Sequence, residues 1–168
     1  MADEAREVLI VGLRNAHAVE SQAVELLERQ VQALDDYPEV RSRVQQHLDE
    51  TRSQLERLED CLDQLGERRS AVKDAALSTL GNFMALSNTM ADDAILKNAF
   101  ASYSFEHYEI AAYESLLELA ELSDEPEIMS LLQENLSEER AMADWLASNI
   151  RPVTRNYVRR RQEKDQAA

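Results

Sequence analysis

Residues that make turns are scarce in this chain: its 168 residues include three glycines and three prolines. Sheets joined by tight hairpins draw heavily on both, so a β-rich fold is excluded. A single cysteine, Cys61, cannot form an intrachain disulfide, and nothing suggests an oxidising compartment. Cys61 is expected as a small core residue. Basic residues are in the minority, 18 against 33 acids, for a formal charge of −15. Such a body repels a phosphate backbone, which argues against nucleic acid as a partner. Long apolar runs are missing too, none approaching the roughly 18 residues of a membrane span. The opening MADEAREVLIVGLRNAH puts acids ahead of a short apolar run, unlike the basic start of a signal peptide. A cytoplasmic protein with no membrane partner is the expectation.

What remains is rich in Ala, Leu, Glu, Gln and Arg, all good helix formers. The spacing of apolar residues predicts four long helices. The first covers about 3–34, with Leu9, Leu13, Ala16, Val24, Leu27 and Val31 on one stripe, and ends at DDYP, where Pro38 pushes Tyr37 out of the helical region. The second covers about 39–65, striped by Val44, Leu48, Leu55, Leu58, Leu62 and Leu65, with Gly66 as its C-cap. The third and fourth cover about 92–122 and 125–149, separated by SDEP, in which Ser123 can cap and Pro126 can open the next helix.

Between the two helical hairpins lies a crossover, 66–91, and after Pro152 a short last helix. The expected fold is therefore all-α, a ferritin-like four-helix bundle with one long helical crossover, in which residues 1–150 form the bundle and 151–168 a basic C-terminal tail. The tail gathers Arg151, Arg155, Arg159, Arg160, Arg161 and Lys164, either as a solvated helix end or to contact an acidic surface. Leu77, Leu80, Phe83, Met84 and Leu86 of the crossover exceed what one short helix needs, which predicts a homodimer.

The apolar stripes carry acids. In FEHYEIAAYESLLELAEL, Phe105 to Leu122, Glu106 and Glu109 share the face of Ile110, Tyr113, Leu117 and Ala120. Glu20 is surrounded by Leu13, Val24, Leu27 and Val31, and Glu139 by Ile128, Leu132, Asn135, Ala143 and Leu146, whereas Glu138 points about 100° away. In the second helix Glu50 lies at the stripe's edge and His47 nearer its middle. His17 and His107 are weaker candidates. Any one such acid could snorkel to water or pair with an arginine. Several acids close together in a core repel one another strongly, and a cation supplies the missing charge and fills the oxygen lone pairs. Carboxylates from facing helices with one or two histidines are the ligands of di-iron and di-manganese bundles.

EHYEIAAYESLL, Glu106 to Leu117, resembles the signature of the YciE/YciF family of ferritin-like proteins. HLDETRSQLERLED, from His47, LLQENLSEERAMADWL, from Leu131, and AHAVESQAVELL, from Ala16, are similar to its other bundle helices. The resemblance spans roughly residues 8–146. It implies a two-metal carboxylate centre in a cytoplasmic, often dimeric protein associated with stress responses. By position it makes Glu20 the first-helix ligand, Glu50 the bridging acid of the second, Glu106 and Glu109 those of the next, and Glu139 that of the last.

One departure from the wider superfamily matters. Its Glu-x-x-His pattern is absent, because Ser53 follows Glu50 at three residues and Met142 follows Glu139, while His47 precedes its glutamate. So acid-rich a site favours Fe(III), manganese or even magnesium over zinc or copper, with two ions expected, iron first and manganese second. The expected function is a di-metal carboxylate protein, an oxidase or peroxide scavenger, with Tyr108 and Tyr113 as packing residues or electron relays. The alternative is a non-catalytic helical interaction module whose metal site is weak or vestigial.

Overall fold

The computed structural model describes residues 1–67 and 93–167. Among these, four helices and no strand are found: α1 (Ala2–Ala33), α2 (Pro38–Gln64), α3 (Ala94–Leu122) and α4 (Pro126–Ala167). None of them is long and apolar enough to cross a membrane. Local chemistry sets their ends. Pro38 opens α2, its missing N–H costing nothing in a first turn, and Tyr37 before it is extended at φ −132°. Gly66, at φ +78°, closes α2 by letting the Glu67 N–H reach back 2.9 Å to the Leu62 carbonyl. Asp124 does the same after α3 at φ +58°, with the Glu125 N–H 3.0 Å from the Ala120 carbonyl. Ser123 does not cap the following helix as expected; its hydroxyl donates back to Leu119 in α3, 2.6 Å away.

Each neighbouring pair of helices is antiparallel. Arg52 of α2 meets Glu28 of α1 at 2.8 Å, while Arg6 reaches the Leu65 carbonyl at the opposite end of the same pair. Across α1 and α3, Gln30 donates to Ser102 at 3.4 Å, and Gly12 faces Leu116. Arg57 of α2 pairs with Glu134 of α4 at 2.9 Å, and Arg140 of α4 with Glu114 of α3. The last residues of α2 and the first of α3 therefore lie at opposite ends of the bundle, the connectivity of a bundle with one long crossover. Most of the predicted crossover, with Leu77, Leu80, Phe83, Met84 and Leu86, lies outside the described residues, as does the expected α3 start at Asp92.

The C-terminal region differs from expectation. Pro152 lies inside α4, which runs on to Ala167, so the basic residues after it extend the last bundle helix and no separate short helix forms. Tertiary contacts outweigh the missing backbone donor. Val153 is buried, and Arg160 pairs with Asp36 and stacks 5.4 Å over the Tyr37 ring, tying the extension to the α1–α2 turn. Side chains also satisfy carbonyls near the proline: Asn149 donates to Trp145 and Thr154 to Ile150, each at 2.8 Å.

The core is divided. One apolar cluster holds Leu9, Leu13, Leu58, Leu62, Leu116, Ile128 and Leu132, with buried Cys61 among them as expected. The other, toward the opposite end, holds Leu27, Val31, Val44, Leu48, Met142 and Leu146. Between them the same inward positions are polar. Because Leu132 is fully buried and Val11 is 54% exposed, Leu132→Ala should destabilise the fold by about 2–5 kcal/mol, and Val11→Ala by under about 0.5 kcal/mol. Urea denaturation of the two variants checks the contrast.

Candidate metal centre

The polar layer follows from helix periodicity. In α3 the buried stripe is Glu106, Glu109, Tyr113, Leu116 and Ala120, steps of three and four residues, so both acids sit at its centre while Ile110 and Leu117 lie at its edges. In α2 the stripe is His47, Thr51, Gln54 and Leu58; Gln54 takes the inward place that periodicity suggested for Leu55. Glu139 and Asn135 hold equivalent positions in α4, and Glu20 in α1. Glu20, His47, Glu106, Glu109 and Glu139 are each no more than 3% exposed.

His47 is at the middle. Its Nε2 lies 3.2 Å from Glu106 Oε2 and 3.8 Å from Glu139 Oε2. Ligand atoms of His47, Glu106 and Glu139 all fall within 4.8 Å of one another, so these three residues can hold a metal ion. The other ring nitrogen, Nδ1, faces Glu50 Oε2 at 3.2 Å. Glu50 itself is at the edge, its side chain 19% exposed and bound by Arg43 at 3.1 Å and Gln46 at 2.7 Å. Of the six predicted site residues the structure thus brings His47, Glu106 and Glu139 together, buries Glu20 and Glu109 in the same layer, and sets Glu50 behind His47. There its carboxylate can accept a hydrogen bond from Nδ1–H and leave the Nε2 lone pair for a cation.

A second set of contacts fixes Glu20. Tyr113 donates to its Oε1 at 2.5 Å, Asn135 donates to the Tyr113 oxygen at 3.0 Å, and Arg57 Nε donates to the Asn135 carbonyl oxygen at 2.5 Å. Gln54 holds Glu139 Oε1 at 2.5 Å and Glu138 at 3.0 Å, and Glu138 pairs with Arg57. Gln54 and Arg57 were not among the sequence candidates. Their signal was present only as polar residues near an otherwise leucine-rich stripe. His17 pairs instead with Glu59 at 3.3 Å, and exposed His107 packs edge-on against Tyr103.

Burial dominates the electrostatics. It pushes the Glu20 carboxyl up to about 7, against the lowering effect of the Tyr113 hydrogen bond. Glu109 and Glu139 are held well above the usual carboxylate range, first by burial and then by neighbouring acids. Burial would raise Glu106 too, but the positive charge of His47 beside it holds it lower than usual. Burial opposes the charge on His47, yet Glu106, Glu50 and Glu139 together raise it well above the ordinary imidazole value. At Glu50 the effect of burial is outweighed by His47, Arg43 and Gln46, which bring it down to about 2.

These residues fit a bound cation on a separate criterion. Glu106 Oε2, Glu109 Oε1 and Glu139 Oε2 are buried and accept no hydrogen bond, the His47–Glu106 approach being an ion-pair contact without hydrogen-bond direction. Buried oxygens with unfilled lone pairs are costly unless something positive meets them. The donor set, mostly carboxylate with one imidazole, is of a kind that can hold a metal ion.

The metal-free protein should lose stability as pH rises. Folded-state values of Glu20, Glu109 and Glu139 lie above the unfolded carboxylate value, so between about 5 and 8 the folded form binds more protons. His47 acts in the same direction. Stability is fullest at the low end of that window and falls by on the order of a few kcal/mol toward the high end. Glu50, whose value is depressed, contributes stability that is lost only below that window. Thermal melts in chelator across the window check the sign. In Tyr113→Phe, which removes the bond that lowers Glu20, the loss should extend to higher pH.

Comparison with known proteins agrees with this fold. The family described as Domain of unknown function (DUF892) matches residues 4–159. A crystal structure of a protein from Xanthomonas campestris is similar at a TM-score of 0.79 and 28% identity, covering 95% of this chain and 99% of that one. The E. coli stress protein YciF superposes with a TM-score of 0.79 at 24% identity over 90% of this chain and 97% of its own. YcfI, a putative structural protein from Rhodopseudomonas palustris, gives a TM-score of 0.71 at 26% identity, covering 85% and 92%. With nearly its whole length matched, and its signature acids gathered on the buried face of α3, the chain belongs to the DUF892 family, that of the YciE/YciF proteins.

Proposed function

We propose that the bundle is a di-metal carboxylate protein that binds two ions, iron in first place and manganese in second, and acts as an oxidase or peroxide scavenger. The observation that carries this reading is the group of buried carboxylate oxygens without hydrogen-bond partners, beside an imidazole whose Nε2 faces them. In this reading Glu106, Glu139 and His47 hold one ion, and Glu20 and Glu109 serve the second. A bound pair of redox-active ions supplies the electrons for reducing an oxidant.

The protein's part is positional. Glu50 orients His47, and Arg57, Asn135 and Tyr113 form a one-way series of hydrogen bonds that fixes which oxygen of Glu20 is occupied. Reduction of an oxidant consumes protons, and burial gives Glu109 and Glu139 a high affinity for them. The stress context rests on the description of E. coli YciF as a stress protein. A symmetric homodimer in the cytoplasm, with the basic end of α4 against an acidic surface, completes the proposal. Light scattering checks the dimer.

Protein purified without chelator should carry close to two ions per chain by elemental analysis. Added Fe(II) or Mn(II) at a hundredfold excess over its Kd should stabilise the fold by about 2.7 kcal/mol. Glu139→Gln should abolish that gain, and Glu50→Ala should weaken metal affinity about 10–100-fold through His47. A chain that binds neither ion and shows no shift in melting temperature supports the alternative, a non-catalytic interaction module.

A further inference from the structure

Charge is spread unevenly along the molecule. Six of the chain's 18 basic residues follow Ile150, against two of its 33 acids, so the end of α4 carries +4 and everything before it −19. In the body, arginines pair with acids on neighbouring helices, as Arg52 does with Glu28 and Arg57 with Glu134. Arg151 and Arg155 of α4 are exposed and make no ion pair among the described residues. Glu118 and Glu121, exposed on α3, make none either.

Both sets border one face of the bundle. The ion pair of Arg140 with Glu114 joins α4 to α3 and fixes which sides of the two helices meet solvent together. Arg151 and Val158 lie about three and five turns beyond Arg140, so they project in nearly its direction, with Arg155 beside them. Glu118 and Glu121 lie about one and two turns beyond Glu114, with Leu122 beside them. Because the helices are antiparallel, the acids stand toward the α3–α4 turn and the arginines toward the opposite end, on the order of 30 Å away. Each set includes an exposed aliphatic side chain, Leu122 at 47% and Val158 at 48%. Between the two sets the face carries Ala111 and Ala147, small and exposed.

A face that is acidic at one end and basic at the other is complementary to a copy of itself turned end for end. A two-fold axis through its middle sets the acids of each copy against the arginines of the other, and Leu122 against Val158, twice over. A phosphate-bearing partner matches only the basic half of this pattern and is repelled by the −19 body. We propose that the α3–α4 face is the surface through which two copies of this chain pair, antiparallel, with Arg151, Arg155 and Val158 of one copy against Glu118, Glu121 and Leu122 of the other. This surface rests on the homodimer proposed for the chain and adds where that homodimer forms.

Light scattering and sedimentation of the full chain test it through charge reversal. The wild type should be a dimer. Raising the salt from about 0.1 M to about 1 M shortens the screening length from about 10 Å to about 3 Å and should weaken that dimer roughly tenfold or more. Arg151→Glu/Arg155→Glu and Glu118→Arg/Glu121→Arg each set like charges against one another in both halves of the contact, so either variant alone should dimerise roughly a hundredfold more weakly. Mixed in equal amounts, the two variants should pair with each other at close to wild-type strength, because every contact is again between opposite charges. All four positions are exposed, and circular dichroism checks that the variants fold. The salt series on the wild type keeps the test valid if one variant does not. A monomeric wild type overturns both this surface and the homodimer. A dimer that both folded variants and high salt leave intact overturns this surface alone, as do folded variants that dissociate singly and fail to pair when mixed. A mass that grows past the dimer with concentration overturns it too, since that marks a head-to-tail contact.

Discussion

Four carboxylates in one dry layer are the constraint around which the bundle is arranged. Glu20, Glu106, Glu109 and Glu139 come from three helices, and desolvation is the largest single influence on each, outweighed only at Glu106. Left ionised together they would drive the helices apart. His47 answers part of that charge, holding Glu106 below the usual carboxylate range, while raised proton affinities neutralise others in the absence of a cation. The apolar clusters at either end supply the burial that makes this arrangement stable despite its cost. Apolar burial is concentrated at the two ends and the ionisable groups in the middle.

Orientation within the layer comes from residues that are not themselves charged toward its centre. Tyr113, Asn135 and Gln54 occupy inward positions that a simple bundle would fill with leucine, and each is bonded to an acid or to its immediate partner. Glu50 and Arg57 act from the edge, on His47 and on Asn135 respectively. A buried polar network of this kind is tolerated when its members are satisfied, and here it holds Glu20 through Tyr113 and Glu139 through Gln54. One oxygen each of Glu106, Glu109 and Glu139 is buried without a hydrogen-bond partner, those of Glu106 and Glu139 beside the His47 ring. The asymmetry between satisfied and unsatisfied oxygens is what distinguishes a built site from acids stranded in a core.

Much of this was legible in the chain itself. Heptad-like spacing of Leu9, Leu13, Leu27 and Val31, or of Ile128, Leu132 and Leu146, is enough to orient a helix, because 100° per residue converts sequence position into direction. The same rule turns Glu20, Glu106, Glu109 and Glu139 inward, and Tyr37–Pro38 and Gly66 mark the ends of elements through backbone sterics alone. Periodicity reports the direction of a residue from its own helix axis and nothing about its neighbour across the bundle. That is why Gln54 and Arg57 passed unnoticed, and why Glu50, at the margin of its stripe, could be read as a ligand when its side chain turns toward Arg43 and Gln46.

By itself, then, the sequence determined the all-α class, the four long helices and the faces they bury, since these depend on propensity and on a period that any short window reveals. Only the tertiary structure decided which acids meet and which stand apart, because that depends on the antiparallel register that sets His47 opposite Glu106 and Glu139. It also decided the fate of Pro152, where Val153, Arg160 and Tyr37 hold a helix together across a residue that locally would end it. Direction is a local property of a helix. Contact is a property of four of them packed together.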